Sequence, residues 1–465
     1  MALVCLYFQV HQPFRLRPYT VFEIGKEHHY ENADMNCDIL LRVAQKCYLP
    51  MNDLLLQLIR KHKNKFRVSF AVSGVALEQF EQYAPEIIDS FRALAETGCV
   101  EFLAESHSHS LAFLYSRAEF EQQVRRHSQR IEELFGQKPK SFRNTELVYN
   151  NEVAEAAENM GYAAVLAEGA DHVLGWRSPN FVYQPATCSK VKLLLRNYSL
   201  SDDIAFRFSD QSWSEYPLTA EKYVTWLEKE SNKTELLNLF MDYETFGEHH
   251  KEHTGIFEFM RSLPEKVLAG KKLSFACVSE AASRLEAHAR LDVPQFMSWA
   301  DAERDLTAWT GNDMQRDALE SLYRLEDRVK AGANPDLLQV WRRLQSSDHF
   351  YYMCTKWFAD GDVHKYFNPY GNPYDAYINF MNVLGDFELT LDQPFPEQPF
   401  PEQPFPEQSA SEQASLEQAE KAGPVTKKAP VTAAKKAKAS EAAVKAEAAP
   451  KKAAAARKKS VAAKK

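Results

Sequence analysis

Short apolar runs alternate with amphipathic segments over the first two thirds of the chain. Runs that are apolar at every position are typical of strands buried on both faces of a sheet, and the segments between them show helical spacing. The predicted strands lie at 3–10, 66–73, 100–105, 163–168, 191–198, 236–244 and 272–276, and the predicted helices include 38–62, 84–96, 117–135, 151–160 and 219–231. This alternation predicts an α/β fold class in which about seven units form a parallel (β/α) barrel.

The strand-like runs stop near residue 290. Residues 291–391 keep apolar positions at helical spacing, as at Leu337, Val340 and Trp341. We therefore predict a catalytic seven-unit barrel over residues 1–290, followed by an α-helical bundle domain over 291–391 that completes the active-site cleft.

The last part of the chain has a composition that does not favour folding. QPFPE occurs three times in succession within residues 392–408, and its alternating prolines exclude both a helix and a strand ladder. Residues 409–465 are rich in Ala and Lys and contain almost no large apolar side chain. We predict a stiff linker followed by a disordered C-terminal tail.

Charge divides the chain in the same way. The net charge is −8, but residues 421–465 hold 14 basic and two acidic residues, whereas the rest holds 42 basic and 62 acidic ones. The basic tail could bind nucleic acid, other anionic surfaces or the acidic body of the same chain.

The lengths of the apolar stretches and the pattern of cysteines indicate the cellular compartment. No stretch approaches the roughly 18 apolar residues of a membrane span, so no membrane association is expected. The seven cysteines form no CxxC pair, which favours reduced thiols in a cytoplasmic enzyme over a zinc cage or a disulfide framework.

The strand at 236–244 ends in acidic residues. Alternate residues of a strand share a face, so Asp242 and Glu244 should point the same way while Tyr243 points to the opposite side. Gly247 then permits a tight turn. Catalytic groups of barrels lie at the carboxyl ends of strands, although such acids could also cap the next helix or pair with a base.

Other predicted strand ends carry polar side chains of the same kind. Glu146 follows Arg143, which could keep a neighbouring carboxylate ionised, but a lone glutamate is more often a surface or capping acid. Near the ends of the first three strands lie His11, Gln12, Glu78, Glu105, His107 and His109. Together these residues predict one polar mouth.

Two carboxyl groups on different strands of one mouth suit glycoside hydrolysis. One must stay ionised to attack the anomeric carbon of the sugar, and the other must hold a proton for the leaving oxygen. The surrounding amides, imidazoles and aromatic rings suit recognition of hydroxyl groups and stacking on sugars.

At these residues the sequence resembles glycoside hydrolase family 57, and the resemblance extends over about residues 3–390. The matching motifs are His11-Gln12-Pro13, Ser73-Gly74 through Glu78, the stretch around Glu146, Asp242 through Gly247, and Ser347-Asp348-His349-Phe350; the stretch 196–208 resembles amylase-type members. One departure is Arg-Asn-Thr before Glu146, where many members have an aromatic-containing stretch that ends in Pro-Glu.

The resemblance implies a retaining glycoside hydrolase that acts on α-1,4-glucans such as starch, glycogen and maltodextrins, without a cofactor or metal. It implies Glu146 as the nucleophile and Asp242 as the general acid and base. The residues implied to bind substrate are His11, Gln12, Glu78, Glu105, His107, Glu244 and Asp348. Asp348 could equally be part of a buried ion pair.

Several other functions fit some of the same residues. A 4-α-glucanotransferase or a branching enzyme would use the same carboxyl groups. A metal-dependent polysaccharide deacetylase could use His249 and His253, which are four residues apart, with His107 and His109 as further donors. A glucan-binding protein without catalytic activity is a further alternative.

Overall fold

The computed structural model describes residues 1–356 and 367–392. Nearly all of the predicted linker at 392–408 and the whole of the predicted tail at 409–465 lie outside these residues. Within them, no helix combines the length and the hydropathy that a membrane span requires.

Each of the seven strands expected from the apolar runs is present, and three further strands occur. The ten strands are β1 (Ala2–Val10), β2 (Val68–Val72), β3 (Val100–Phe102), β4 (Ser141–Arg143), β5 (Ala164–Glu168), β6 (Val182–Pro185), β7 (Lys192–Arg196), β8 (Leu236–Asp242), β9 (Leu273–Phe275) and β10 (Ala289–Leu291) within the described residues. The added strands β4, β6 and β10 have only three or four residues, too few to show a period.

The strands form two five-stranded sheets. The first has the order β3-β2-β1-β8, with β9 also paired to β1, and the second has the order β10-β6-β7-β5-β4. All strand pairs are parallel except β6 with β7. The predicted α/β fold class with a parallel sheet is therefore confirmed.

Backbone hydrogen bonds also connect the two sheets. Just beyond β3, the amide of Ala104 donates to Ser141 O and its carbonyl accepts from the amide of Arg143, both at 2.9 Å. At the other edge, the amide of Asn197 donates to Asn238 O at 2.9 Å. The two sheets therefore bring the ends of β1, β4 and β8 into one neighbourhood.

Helices follow most of the strands, as the periodicity predicts. They are α1 (Ala33–Val43), α2 (Leu49–Lys61), α3 (Gly74–Tyr83), α4 (Glu86–Ala95), α5 (Ala112–Tyr115), α6 (Arg117–Phe135), α7 (Asn151–Asn159), α8 (Asp171–Leu174), α9 (Tyr198–Ala205), α10 (Ala220–Ser231), α11 (Ile256–Ala269) and α12 (Val278–Arg284). A π-helical turn, Ala44–Tyr48, joins α1 to α2. Helix α6 has the bounds that its sequence predicts, because Ser116 caps its first turn and Gly136 ends it in a left-handed conformation.

The described residues between 300 and 392 are mainly helical. They contain α13 (Thr307–Thr310), α14 (Asp313–Arg324), α15 (Glu326–Ala331), α16 (Pro335–Arg343), α17 (Ser347–Tyr351) and α18 (Pro373–Thr390). Trp309, Trp341 and Phe380 of these helices share one buried apolar cluster with Phe142 of β4 and Val165 of β5. The C-terminal helices therefore bury their apolar faces together with residues of the second sheet.

Gly247 fixes the turn after β8 for two reasons. Its φ is +108°, and a Cβ added there would lie 1.8 Å from the carbonyl oxygen of Lys46. Gly98 has a φ of +66°, but no atom lies within 4 Å of an added Cβ. A comparison of substitutions at the two glycines therefore separates the cost of a positive φ from the cost of a steric overlap.

We expect Gly247→Ala to destabilise the protein more than Gly98→Ala. Gly98→Ala, the control, should lower the free energy of unfolding by about 1–2 kcal/mol because of its positive φ. Gly247→Ala adds a steric overlap that costs about 1–3 kcal/mol more. Chemical denaturation measures both free energies of unfolding. Equal losses would show that the approach to Lys46 is unimportant.

Candidate active site

A cleft of about 1180 Å³, including the space at its open mouth, lies at the carboxyl ends of strands from both sheets. Its walls come from the segments after β1, β4, β7 and β8 and from the region after residue 298. Of the residues predicted from the sequence, the cleft brings together His11, Gln12, Glu146, Asp242, Glu244 and Asp348.

Glu146 lies in a single 3₁₀ turn, Thr145–Leu147, directly after β4. Its φ is +55°, and residues held in such conformations cost on the order of 1–3 kcal/mol and cluster at functional sites. The buried carboxyl group has hydrogen-bond partners at both oxygens: His109 Nε2 lies 3.2 Å from Oε1, and Trp299 Nε1 donates to Oε2 at 2.7 Å. These contacts fix the orientation of the carboxyl group.

His109 connects Glu146 to a second buried carboxylate. Its Nδ1 lies 3.2 Å from Oε2 of Glu105. Burial opposes protonation, but the hydrogen bonds and charges of Glu105 and Glu146 outweigh burial and raise the pKa of His109 to about 9. At neutral pH the ring is therefore an imidazolium that donates to both carboxylates.

Glu105 lies behind the wall of the cleft, where it is fully buried. Its carboxylate accepts from Gln9 Nε2 at 3.2 and 3.3 Å, and Arg143 Nη1 lies 3.7 Å away. Burial would raise the pKa of Glu105, but the hydrogen bond and charge of His109, with Arg143, lower it. Glu105 is therefore not among the residues that line the cleft, and His109 lies between it and Glu146.

Asp242 and Glu244 both line the cleft at the end of β8. Asp242 is the last strand residue, and Glu244 lies in the following 3₁₀ turn, Tyr243–Thr245. The hydroxyl of Tyr48 donates to Glu244. Burial and the charge of Asp242 raise the pKa of Glu244 to about 8, so Glu244 holds a proton at neutral pH.

His11 and Asp348 form a pair on the cleft wall. His11 Nε2 lies 2.8 Å from Asp348 Oδ2, and Nδ1 lies 2.7 Å from the hydroxyl of Ser73. The His11 ring stacks on His109 with 3.9 Å between centroids. Burial and the positive charge of His109 lower the pKa of His11. Asp348 therefore both lines the cleft and makes a buried polar pair.

Gln12 is held in place by two neighbours. Its side-chain oxygen accepts from Arg15 Nη2 at 3.1 Å, and its Nε2 donates to the hydroxyl of Tyr48 at 3.4 Å. Because Tyr48 also donates to Glu244, these groups form one network beside Asp242.

Glu78 and His107 lie elsewhere. Glu78 is on the second turn of α3, and its carboxylate contacts His107 Nε2 at 2.9 Å, Gln339 at 2.7 Å and the guanidinium of Arg343 at 3.0 Å. Both residues line a separate pocket of about 560 Å³. Burial would raise the pKa of Glu78, but these partners lower it to about 2. Both residues therefore lie away from the cleft that Glu146 lines.

Several residues of the cleft were not assigned a catalytic or substrate-binding role from the sequence. Trp299 lies in a segment without a regular period, so no pattern indicates it. Arg196 and Asp202 belong to the stretch 196–208, and they form an ion pair beside Glu168. His109 shares the alternating face of Glu105, which is the signal that could have assigned it.

The ligand set proposed for a deacetylase is not assembled. His249 lines the cleft, but His253 lies exposed in a 3₁₀ turn, Glu252–Thr254, and His107 faces the other pocket. Among residues 1–356 and 367–392, no group of three or more His, Cys, Asp or Glu is arranged to hold a metal ion.

Comparison with known proteins agrees with this arrangement. The parallel α/β fold and the cleft with two carboxyl groups suit a glycoside hydrolase. The sequence model of the family described as "Glycosyl hydrolase family 57" matches residues 5–294, and the chain therefore belongs to that family.

The relatives include archaeal and bacterial proteins. A Methanocaldococcus jannaschii protein named "Putative alpha-amylase" is 42% identical over 402 residues, which are 83% of this chain and 84% of that protein. The 4-alpha-glucanotransferase of Thermococcus litoralis is 14% identical with a TM-score of 0.62; the match covers 82% of this chain but only 59% of the glucanotransferase chain. An alpha-amylase of Thermotoga maritima is 12% identical with a TM-score of 0.57, over 84% and 94% of the two chains. The two structures show the likeness of fold.

Glu244→Gln tests the proton assigned to Glu244. Between about pH 4.5 and 8 the folded protein holds a proton that the unfolded chain has released, so this group lowers the free energy of unfolding as pH rises. The variant should therefore lose less stability from pH 5 to pH 8 than the wild type in denaturant titrations. Glu152→Gln, at an exposed carboxyl group, is the control. An unchanged pH slope in Glu244→Gln would contradict the assignment.

Proposed function

We propose that this protein is a retaining glycoside hydrolase that cleaves α-1,4-glucans, with Glu146 as nucleophile and Asp242 as general acid and base. The observation that carries the proposal is that these two carboxyl groups, which follow different strands, line one cleft. A retaining mechanism needs two carboxyl groups about 5–5.5 Å apart on either side of the scissile bond.

The reaction has two steps. Glu146 attacks the anomeric carbon, the bond from that carbon to the leaving oxygen breaks, and Asp242 gives its proton to that oxygen. Water or a sugar hydroxyl then attacks the glycosyl ester, Asp242 takes the proton, and Glu146 leaves as a carboxylate. The N–H groups of His109 and Trp299 stabilise the charge that returns to Glu146.

Other groups of the cleft suit the binding of hydroxyl groups. The imidazole of His11, the amide of Gln12 and the protonated carboxyl of Glu244 offer donors and acceptors, and Asp348 offers an acceptor. Trp299 and Phe206 add aromatic surface. The names of the relatives, which include an alpha-amylase, a 4-alpha-glucanotransferase and a branching enzyme of Thermococcus kodakaraensis, support an α-glucan as substrate.

The proposed architecture is a closed barrel of seven strands, β8-β1-β2-β3-β4-β5-β7. In this barrel β4 takes the place of the predicted strand at 272–276, which is β9 and pairs with β1 outside the main strand order. The bridge between Ala104 and Phe142 and the hydrogen bond from Asn197 to Asn238 support closure. The helices after residue 291 would form the predicted bundle over the cleft, to which Asp348 of α17 contributes. Cytoplasmic location and binding of the basic tail to nucleic acid or anionic surfaces stay predictions.

Acid-to-amide substitutions test the catalytic roles. We expect Glu146→Gln to lower turnover of soluble starch by at least about a thousandfold, since it removes the nucleophile. Asp242→Asn should lower turnover by about 10²–10⁴-fold. With α-maltosyl fluoride, whose leaving group needs no proton, Asp242→Asn should still form the glycosyl ester, whereas Glu146→Gln should not.

Glu152→Gln is the matched control, because it changes an exposed carboxyl group on the same stretch of chain. Circular dichroism would establish that each variant folds. Normal cleavage by a folded Glu146→Gln protein would refute the assignment of the nucleophile. Activity that depended on a metal ion and was lost on chelation would favour the deacetylase.

The products formed from maltoheptaose distinguish the enzymes that share this mechanism. Hydrolysis should give only shorter products, whose first-formed anomer is α as in the substrate; transfer should also give longer chains, and branching gives α-1,6 bonds. Chromatography and proton NMR measure these outcomes. A first-formed β-anomer would contradict retention, and binding of maltoheptaose without any turnover would favour a non-catalytic glucan-binding protein.

A further inference from the structure

Arg143 is a buried cation whose hydrogen-bonding capacity the protein leaves unused. It is the last residue of β4, lines the cleft and is fully buried. Its Nε, Nη1 and Nη2 make no hydrogen bond to any described residue. Its contacts are Glu105, 3.7 Å from Nη1, and the ring of Trp299, 5.0 Å from the guanidinium carbon.

This state is unfavourable in the protein alone. Guanidinium carries five N–H donors, and a buried donor without an acceptor loses its hydration without compensation. About nine tenths or more of buried polar groups in proteins have partners, and an exception calls for an explanation such as a catalytic role, a water or an ion. The position of Arg143 on the cleft wall indicates that its acceptors come from the contents of the cleft.

Arg196 shows that the same fold can satisfy a cleft arginine completely. Its guanidinium also lies by the Trp299 ring, at 5.7 Å. Arg196 Nε donates to Phe240 O at 2.8 Å, Nη1 donates to Glu168 at 3.0 Å, and Nη2 donates to Asp202. Of these two arginines beside one indole, only Arg143 lacks such acceptors.

The charges around Arg143 indicate what kind of acceptor fits. The positive charges of Arg143 and of the His109 imidazolium balance the negative charges of the Glu105 and Glu146 carboxylates. These four side chains are therefore neutral overall. An anionic ligand would add a charge next to Glu146 and Asp242, which like-charge repulsion disfavours. Neutral hydroxyl oxygens satisfy the donors of Arg143 without that cost.

We propose that Arg143 binds substrate, donating hydrogen bonds to hydroxyl oxygens of the glucosyl unit that lies beside Glu146. This inference rests on the proposed function and adds a determinant of sugar binding to it. Arg143 would then not serve chiefly to keep Glu146 ionised, a task for which His109 is already in hydrogen-bond contact.

The experiment separates binding from folding in the Asp242→Asn background, which slows turnover but leaves the groups around Arg143 in place. Calorimetry measures the Kd for maltoheptaose of this protein with Arg143 retained, with Arg143→Lys and with Arg143→Met. Hydrogen bonds from a charged donor are worth about 1.5–3 kcal/mol, so Arg143→Met should weaken binding about 10- to 100-fold. Arg143→Lys, which keeps the charge but loses the planar donors, should lie between.

Chemical denaturation of the same proteins without sugar gives the second readout. Because Arg143→Met removes a cation beside the buried carboxylate of Glu105, it should lower the free energy of unfolding, and Arg143→Lys, which keeps the charge, should lower it less. Loss of stability with an unchanged Kd would show a structural role and overturn the inference.

The role of Arg143 and the proposed function can be refuted separately. If the Asp242→Asn protein binds maltoheptaose and both Arg143 variants bind it equally well, the inference is wrong while the proposed function stands. If the wild type neither binds nor converts maltoheptaose, the proposed function falls, and the inference falls with it.

Discussion

The imidazolium of His109 is the constraint on which the rest of the cleft depends. It lies between two carboxyl groups that are both buried, Glu105 and Glu146, at 3.2 Å from each. Two buried carboxylates without a cation between them would repel each other, and one would take up a proton. The bridge stabilises the charged forms of both carboxyl groups, as the proposed role of Glu146 as nucleophile requires.

The backbone carries strain to make this bridge. His109 and Glu146 have φ values of +51° and +55°, in a region that residues with a side chain seldom occupy. Both follow strands that the hydrogen bonds at Ala104 tie together, so the loops meet over a rigid base. The buried apolar clusters around Phe142 and Phe70 stabilise the strands that hold these loops.

The parts of this structure that follow a regular sequence pattern could be predicted from the sequence. Apolar strands and helical spacing indicated the α/β order, and the ends of parallel strands indicated that Glu146 and Asp242 would share a mouth. Glu78 was grouped with them, but it lies on the second turn of α3 and lines a separate pocket. Trp299 gave no signal, since contacts of irregular segments depend on the folded backbone and not on a period.

The role considered for Arg143 shows a second limit of sequence reasoning. Proximity in sequence suggested Glu146 as the carboxylate that Arg143 would contact. The structure brings Arg143 Nη1 to 3.7 Å from Glu105, whereas Glu146 contacts His109 and Trp299. Nearness along the chain predicts a shared neighbourhood at the end of a strand, whereas the pairing within it is set by side-chain direction.

The protonation states of the cleft are coupled, and this coupling limits how the site can change. His109 carries a proton because two carboxylates face it, and the stacked ring of His11 is kept neutral in part by that same charge. Burial and repulsion by Asp242 raise the pKa of Glu244, so the two carboxyl groups compete for a proton. These groups therefore titrate as sets, and a substitution at one carboxyl group alters the charge of a neighbour. A change that leaves every side chain in position can still alter catalysis, because the proton needed for the leaving oxygen belongs to the whole set.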